Sequence, residues 1–95
     1  MLARSLKSLA RMVSGIPIEV HHATHSMAVV ARLPGVRFEN VDIRLSRDAL
    51  TIGAEFPEGT RTVALPFAFP VDDRRAQMRF ADGVLWMYLP KLPRR

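Results

Sequence analysis

The 95-residue sequence contains no cysteine, which excludes disulfides, thiol catalysis and cysteine-ligated zinc. That composition is compatible with a reducing cytoplasm, where the chain is expected to reside. No apolar run approaches the ~20 residues that a membrane-spanning helix needs. Serine and threonine are few, and no serine stands in a nucleophile-elbow context. A phosphate-binding glycine loop is absent too. Enzymatic activity and a bound cofactor are therefore not expected.

What is present fits one small globular domain. Hydrophobic residues make up 48% and charged residues 24%, a balance that can sustain a core rather than a disordered chain. At this length folding buries roughly 60–65% of the chain's accessible surface. The net charge is +5, from 14 Lys+Arg against 9 Asp+Glu. A surplus of that sign raises the case for nucleic acid or an anionic surface. The arginines, however, are spread along the chain, with only short pairs at Arg74-Arg75 and Arg94-Arg95, so nucleic acid is not expected as a partner.

Residues 1–16 form a distinct basic arm. Leu2, Leu6, Leu9, Met12 and Val13 recur at three- to four-residue spacing, with Arg4, Lys7 and Arg11 between them and no acidic residue before Glu19. This is a short amphipathic helix pattern, stopped by Gly15 and Pro17. It reads as a segment that packs on a partner or on the domain, or as an arm ordered only on contact. Anionic-surface binding through Arg4, Lys7 and Arg11 is a further reading.

From Ile18 the hydrophobic period becomes two. Ile18 and Val20 alternate, then Val29, Ala31 and Leu33, with Val30 making that run apolar on both faces. Leu33-Pro34-Gly35 breaks the strand. Val41, Ile43 and Leu45 alternate with Asp42 and Arg44, and Ser46-Arg47-Asp48 supplies a turn. Leu50 and Ile52 continue the pattern up to the turn cluster Phe56-Pro57-Glu58-Gly59-Thr60. Val63 and Leu65 follow, closed by Pro66 and Pro70. Ala76, Met78 and Phe80 form another alternating row. Asp82-Gly83 is a tight-turn dipeptide that favours positive φ. Val84 to Leu89 is a last strand, apolar on both faces and ended by Pro90 and Pro93. About seven short strands at near-regular spacing predict an all-β antiparallel sandwich or barrel.

The order of these signals resembles the Hsp20, or α-crystallin, domain of small heat-shock proteins. Ala31-Arg32-Leu33-Pro34-Gly35-Val36, followed by Glu39-Asn40-Val41-Asp42-Ile43, matches the family's strand, corner and next strand. Leu50-Thr51-Ile52-Gly53 matches a further strand. Ala81-Asp82-Gly83-Val84-Leu85 and Leu89-Pro90-Lys91 match the end of the domain. The resemblance covers residues 17–91, with 92–95 as a short tail. It implies an immunoglobulin-like sandwich, ATP-independent holding of unfolding proteins, and self-association.

Three departures bear on assembly. The link at Phe56 to Thr60 is too short to carry the strand that bacterial and plant members exchange between subunits. Lys91-Leu92-Pro93-Arg94-Arg95 lacks the family's Ile-X-Ile-type docking motif. Leu65-Pro66-Phe67-Ala68-Phe69-Pro70-Val71 looks longer than the usual connection. A dimer is therefore expected before a large cage. The alternative is an accessory domain with one dedicated partner, such as a p23-like co-chaperone or the partner of an ATPase.

Candidate site residues follow from both lines of reading. The rows of Val41, Ile43, Leu45 and of Ala76, Met78, Phe80 are expected to face the core. The resemblance implies that the same two strands also line an edge groove for apolar peptide segments, which nominates Val41, Ile43, Leu45, Met78 and Phe80. Trp86 and Tyr88 are expected to share one face of the last strand, opposite Leu85, Met87 and Leu89. Their cover is expected from the arm, through Leu6, Leu9 and Val13, or from a second chain. His21 and His25 would lie about 13 Å apart on one straight strand, too far to share a metal unless Ala23-Thr24 turns the chain. No metal site is expected there. Asp48, Asp72 and Asp73 are read as turn residues.

Overall fold

The computed structural model describes residues 15–93. The sequence-predicted arm, with Leu6, Leu9 and Val13, and the end of the tail lie outside the described residues. Seven strands build two antiparallel sheets: β1 (Ile18–His22), β2 (Ser26–Arg32), β3 (Val41–Leu45), β4 (Ala49–Phe56), β5 (Gly59–Pro66), β6 (Gln77–Ala81) and β7 (Val84–Pro90). One sheet has the order β1-β2-β7-β6 and the other β3-β4-β5. Two single-turn 3-10 segments, Phe38–Asn40 and Asp73–Arg75, complete the described secondary structure. The all-β sandwich expected from the sequence is the fold observed.

The period-two pattern explains the layering, because alternate side chains of a strand point to opposite faces. Met27, Val29 and Ala31 of β2 and Leu85, Met87 and Leu89 of β7 point inward from one sheet. Leu50, Ile52, Ala54 and Phe56 of β4 point inward from the other, and all ten are buried. The central strands β2, β4 and β7 thus supply most of the core. Edge strands lie against it more loosely: Ile18, Val20, Val41, Ile43, Leu45, Val63, Leu65 and Phe80 are partly buried.

Local chemistry sets the turns. β4 and β5 form a continuous hairpin from Ala49↔Pro66 to Phe56↔Gly59, joined by Pro57-Glu58. Direct pairing of β4 with β5 leaves no insertion between them. Asp82 (φ 53°) and Gly83 (φ 73°) both occupy the left-handed region between β6 and β7, as a two-residue hairpin turn with positive φ at both positions demands. The side-chain oxygen of Ser46 accepts from the amides of Asp48 (3.2 Å) and Ala49 (3.1 Å) and so organises the β3–β4 turn. The β5–β6 connection is stitched down by the Phe67 amide donating to the Asp48 carbonyl (2.8 Å) and the Val71 amide to the Arg47 carbonyl (2.9 Å). Val71 is fully buried as a result.

Candidate protein-binding edge

β3 and β6 are both terminal strands of their sheets. An edge strand offers one side of its backbone without a ladder partner. The register places Val41, Ile43 and Leu45 opposite Ala54, Ile52 and Leu50 on the inner face of one sheet. Met78 and Phe80 stand opposite Met87 and Leu85 on the inner face of the other. All five nominated residues therefore point between the layers, at strands with no outer neighbour. Their burial is incomplete. Val41, Ile43, Leu45 and Phe80 are half-buried and Met78 is 47% exposed.

One contact ties the two strands to the same edge of the sandwich. Phe38, in the 3-10 turn just before β3, packs its ring on Phe80 of β6 with centroids 5.7 Å apart and a 38° tilt. Phe38 is itself 49% exposed. The resulting strip of Phe38, Phe80 and Met78 mixes two aromatic rings with a flexible thioether, a combination that adapts to varied apolar partners. Phe38 escaped the sequence reading because it lies between the Leu33-Pro34-Gly35 corner and β3, out of phase with the row of Val41, Ile43 and Leu45. The charged residues beside the strip pair among themselves: Arg37 with Glu39 at 3.0 Å and Arg44 with Asp42 at 3.1 Å.

The outer face of the four-stranded sheet is a second apolar area. Trp86 and Tyr88 share it, as expected, and are 51% and 47% exposed. The register sets Glu19, Val30, Trp86 and Arg79 in one row across the four strands, and His21, Ala28, Tyr88 and Gln77 in the next. Val30 is buried although it lies outside the core cluster. Glu19 accepts from Arg32 at 3.3 Å and contacts His21 at 3.3 Å. These two hydrogen bonds, first that of Arg32, hold the Glu19 carboxyl below its ordinary pKa.

The remaining polar candidates have structural roles. His21 and His25 do not share a straight strand, because β1 ends at His22 and the Ala23 amide donates to the Ser26 carbonyl (2.9 Å) across a turn. Among the described residues no group of three His, Cys, Asp or Glu side chains is placed to hold a metal. Asp72 accepts from the Arg74 amide (3.2 Å) and caps the turn Asp73–Arg75. The Lys91 ammonium donates to the Ala23 carbonyl (2.8 Å) and lies 5.1 Å from the centre of the Phe69 ring. Phe69 and Lys91, with Thr24, His25, Leu92 and Pro93, line a pocket of about 560 Å³. Among the described residues no helix is long and apolar enough to cross a membrane.

No family model and no curated protein sequence matches the chain. Solved structures do. Heat shock protein 16.0 from Schizosaccharomyces pombe is 25% identical with a TM-score of 0.74, over 82% of this chain and 87% of that one. HSP18.5 from E. histolytica is 13% identical with a TM-score of 0.73, over 85% and 91%. A small heat-shock protein from Xylella fastidiosa is 18% identical with a TM-score of 0.69, over 84% and 92%. The last two share the fold with this chain.

Proposed function

We propose, from the premise that this is an α-crystallin-like domain of the small heat-shock protein type, that the chain is an ATP-independent holdase. It binds unfolding proteins through the open edge formed by β3 and β6. The observation that supports this reading is the strip of half-covered apolar side chains on two edge strands, each paired on one side only, joined at Phe38 and Phe80. An extended apolar segment would add to such an edge by main-chain hydrogen bonds, and Val41, Ile43, Leu45, Met78 and Phe80 would receive its side chains. Self-association, as a dimer before a cage, and a cytoplasmic location belong to the same reading.

The test is suppression of aggregation. A stoichiometric amount of the chain, without ATP, should reduce light scattering from a heat-denatured model protein. Met78→Glu, a change at a half-exposed position, should weaken that suppression without lowering the melting temperature. If the unaltered chain leaves the scattering unchanged, the holdase reading fails.

The second reading is a dedicated accessory domain with one partner. The hairpin through Pro57-Glu58 favours it, since it leaves no β4–β5 insertion through which subunits could be linked. Recovery of one stoichiometric partner from lysate would support this reading. Recovery of many unrelated unfolded chains would support the first.

A further inference from the structure

The outer face of the four-stranded sheet carries two large aromatic side chains that the edge-binding reading does not use. Trp86 and Tyr88 stand two residues apart on β7, an inner strand, and are half exposed. An inner strand has no free ladder side, so this face takes no client by strand addition. A packed cover is what such a patch calls for. The charges around the rings are segregated. Glu19 lies on β1 at one margin and Arg79 on β6 at the other, in one row with Val30 and Trp86. Three strand spacings, about 14 Å, separate the two. Among the described residues Arg79 makes no ion pair, and Glu19 has only exposed contacts, with Arg32 and His21 at 3.3 Å.

We infer that the cover is a second copy of the chain, packed face to face about a two-fold axis that runs parallel to the strands between β2 and β7. The inference rests on the self-association named above and gives it a surface that needs no exchanged strand. Under this symmetry β1 lies over β6 of the second copy and β2 over β7, and the rows stay in line. Each Glu19 then meets Arg79 of the second copy, so the ion pair forms twice per dimer, as a self-complementary interface requires. His21 meets Gln77. The rings of Trp86 and Tyr88 lie over the smaller Val30 and Ala28, large side chains against small ones. The result is an aromatic centre with a charged rim, the ordinary anatomy of a protein interface.

Charge decides between this axis and the other face-to-face choice. An axis across the strands sets β6 over β6 and leaves Arg79 facing Gln77, with no anion opposite it. Sheet twist does not spoil the pairing. Aligned sheets cross at about 30°, which shifts the outer strands by about 4 Å, within the reach of an arginine side chain. Size sets the strength. The face is four strands wide and its inner strands are seven residues long, about 19 by 23 Å in plan. That is roughly 440 Å² before side-chain relief, against ~800 Å² of accessible surface per partner in a standard interface. The dimer therefore belongs to the small, dissociable class and separates on dilution.

The chain's only tryptophan is Trp86, so its fluorescence reports this face. Light scattering should give the mass of two chains in concentrated solution and of one after thousandfold dilution. Trp86 emission should move to the red, and acrylamide quenching should rise, over the same range. Glu19→Arg alone, or Arg79→Glu alone, sets like charges opposite each other twice per dimer. Each should weaken the dimer by about tenfold or more, with the circular dichroism of the sheet retained. An equimolar mixture of the two variants should restore it, because in the mixed dimer both contacts again join opposite charges. A dimer that neither reversal weakens, or a mixture that restores nothing, would overturn this interface while self-association stands. The mass of one chain at every concentration would overturn the interface and the self-association together. Trp86 shielded from acrylamide at every dilution would assign the cover to the same chain and overturn it equally. Client binding at the β3 and β6 edge is read separately, by the aggregation assay.

Discussion

The amide of Leu33 donates to the carbonyl of Gly83 at 2.6 Å, and a Cβ on Gly83 would stand 3.1 Å from the Leu33 carbonyl oxygen. The Leu-Pro-Gly corner after β2 and the Asp-Gly turn before β7 are therefore one joint, made of two motifs that are distant in sequence. Gly83→Ala should strain both. The left-handed φ of 73° disfavours any side chain, and the neighbour in the way is backbone. We expect a loss of about 2 kcal/mol or more, measured as a fall of roughly 10 °C in melting temperature. A change within about 1 °C would show that the corner and the turn do not depend on each other.

Lys91 makes the corresponding tie at the other end of the sheet. Its ammonium bonds the Ala23 carbonyl, and its backbone amide donates to the His25 carbonyl at 2.9 Å. Lys91→Met keeps the stem and the amide but removes the charge. The expected cost is about 1 kcal/mol, from one charged hydrogen bond and a cation–ring contact that are partly solvated. Amide exchange should accelerate in the Ala23–Ser26 turn and stay unchanged in β4 and β5.

Glu19 links β1 to Arg32 of β2, and its folded pKa lies below the ordinary 4.5 of glutamate. A depressed carboxyl pKa stabilises the fold above the unfolded value, and that contribution disappears as pH falls through the folded pKa. The loss takes place below pH 4.5 and is small, because the carboxylate is exposed to solvent. The Glu19 carboxyl resonance should titrate with a midpoint under 4.5, and Arg32→Ala should return it toward that value. A native midpoint at or above 4.5 would contradict the Arg32 contact.

Much of this was legible locally. Asp82-Gly83 announces its own turn because few other dipeptides tolerate positive φ at both positions. The alternation of Val41, Ile43 and Leu45 identifies their inward face without knowledge of any partner. The order of strands was not legible in that way. β3 reads as an alternating strand and β7 as one apolar on both faces, yet neither pattern names its neighbours; that β3 is an edge and β7 is central depends on pairing between segments far apart in sequence. Phe38 is out of phase with the Val41, Ile43 and Leu45 row, and only its contact with Phe80 reveals it as part of the edge strip. Val71 was hidden for a related reason. It follows Pro70, where a strand is expected to have ended, but its single bridge to Lys91 and its bond to Arg47 place it in the core.

The edge formed by β3 and β6 is the centre of the functional account, and backbone amide NMR during titration with a heat-unfolded model protein examines it directly. The account predicts shift changes concentrated in residues 38–45 and 77–81, with β1 and the Pro57-Glu58 hairpin unaffected. Saturation with client that leaves those two segments unmoved, or that moves only the face bearing Trp86 and Tyr88, would contradict it.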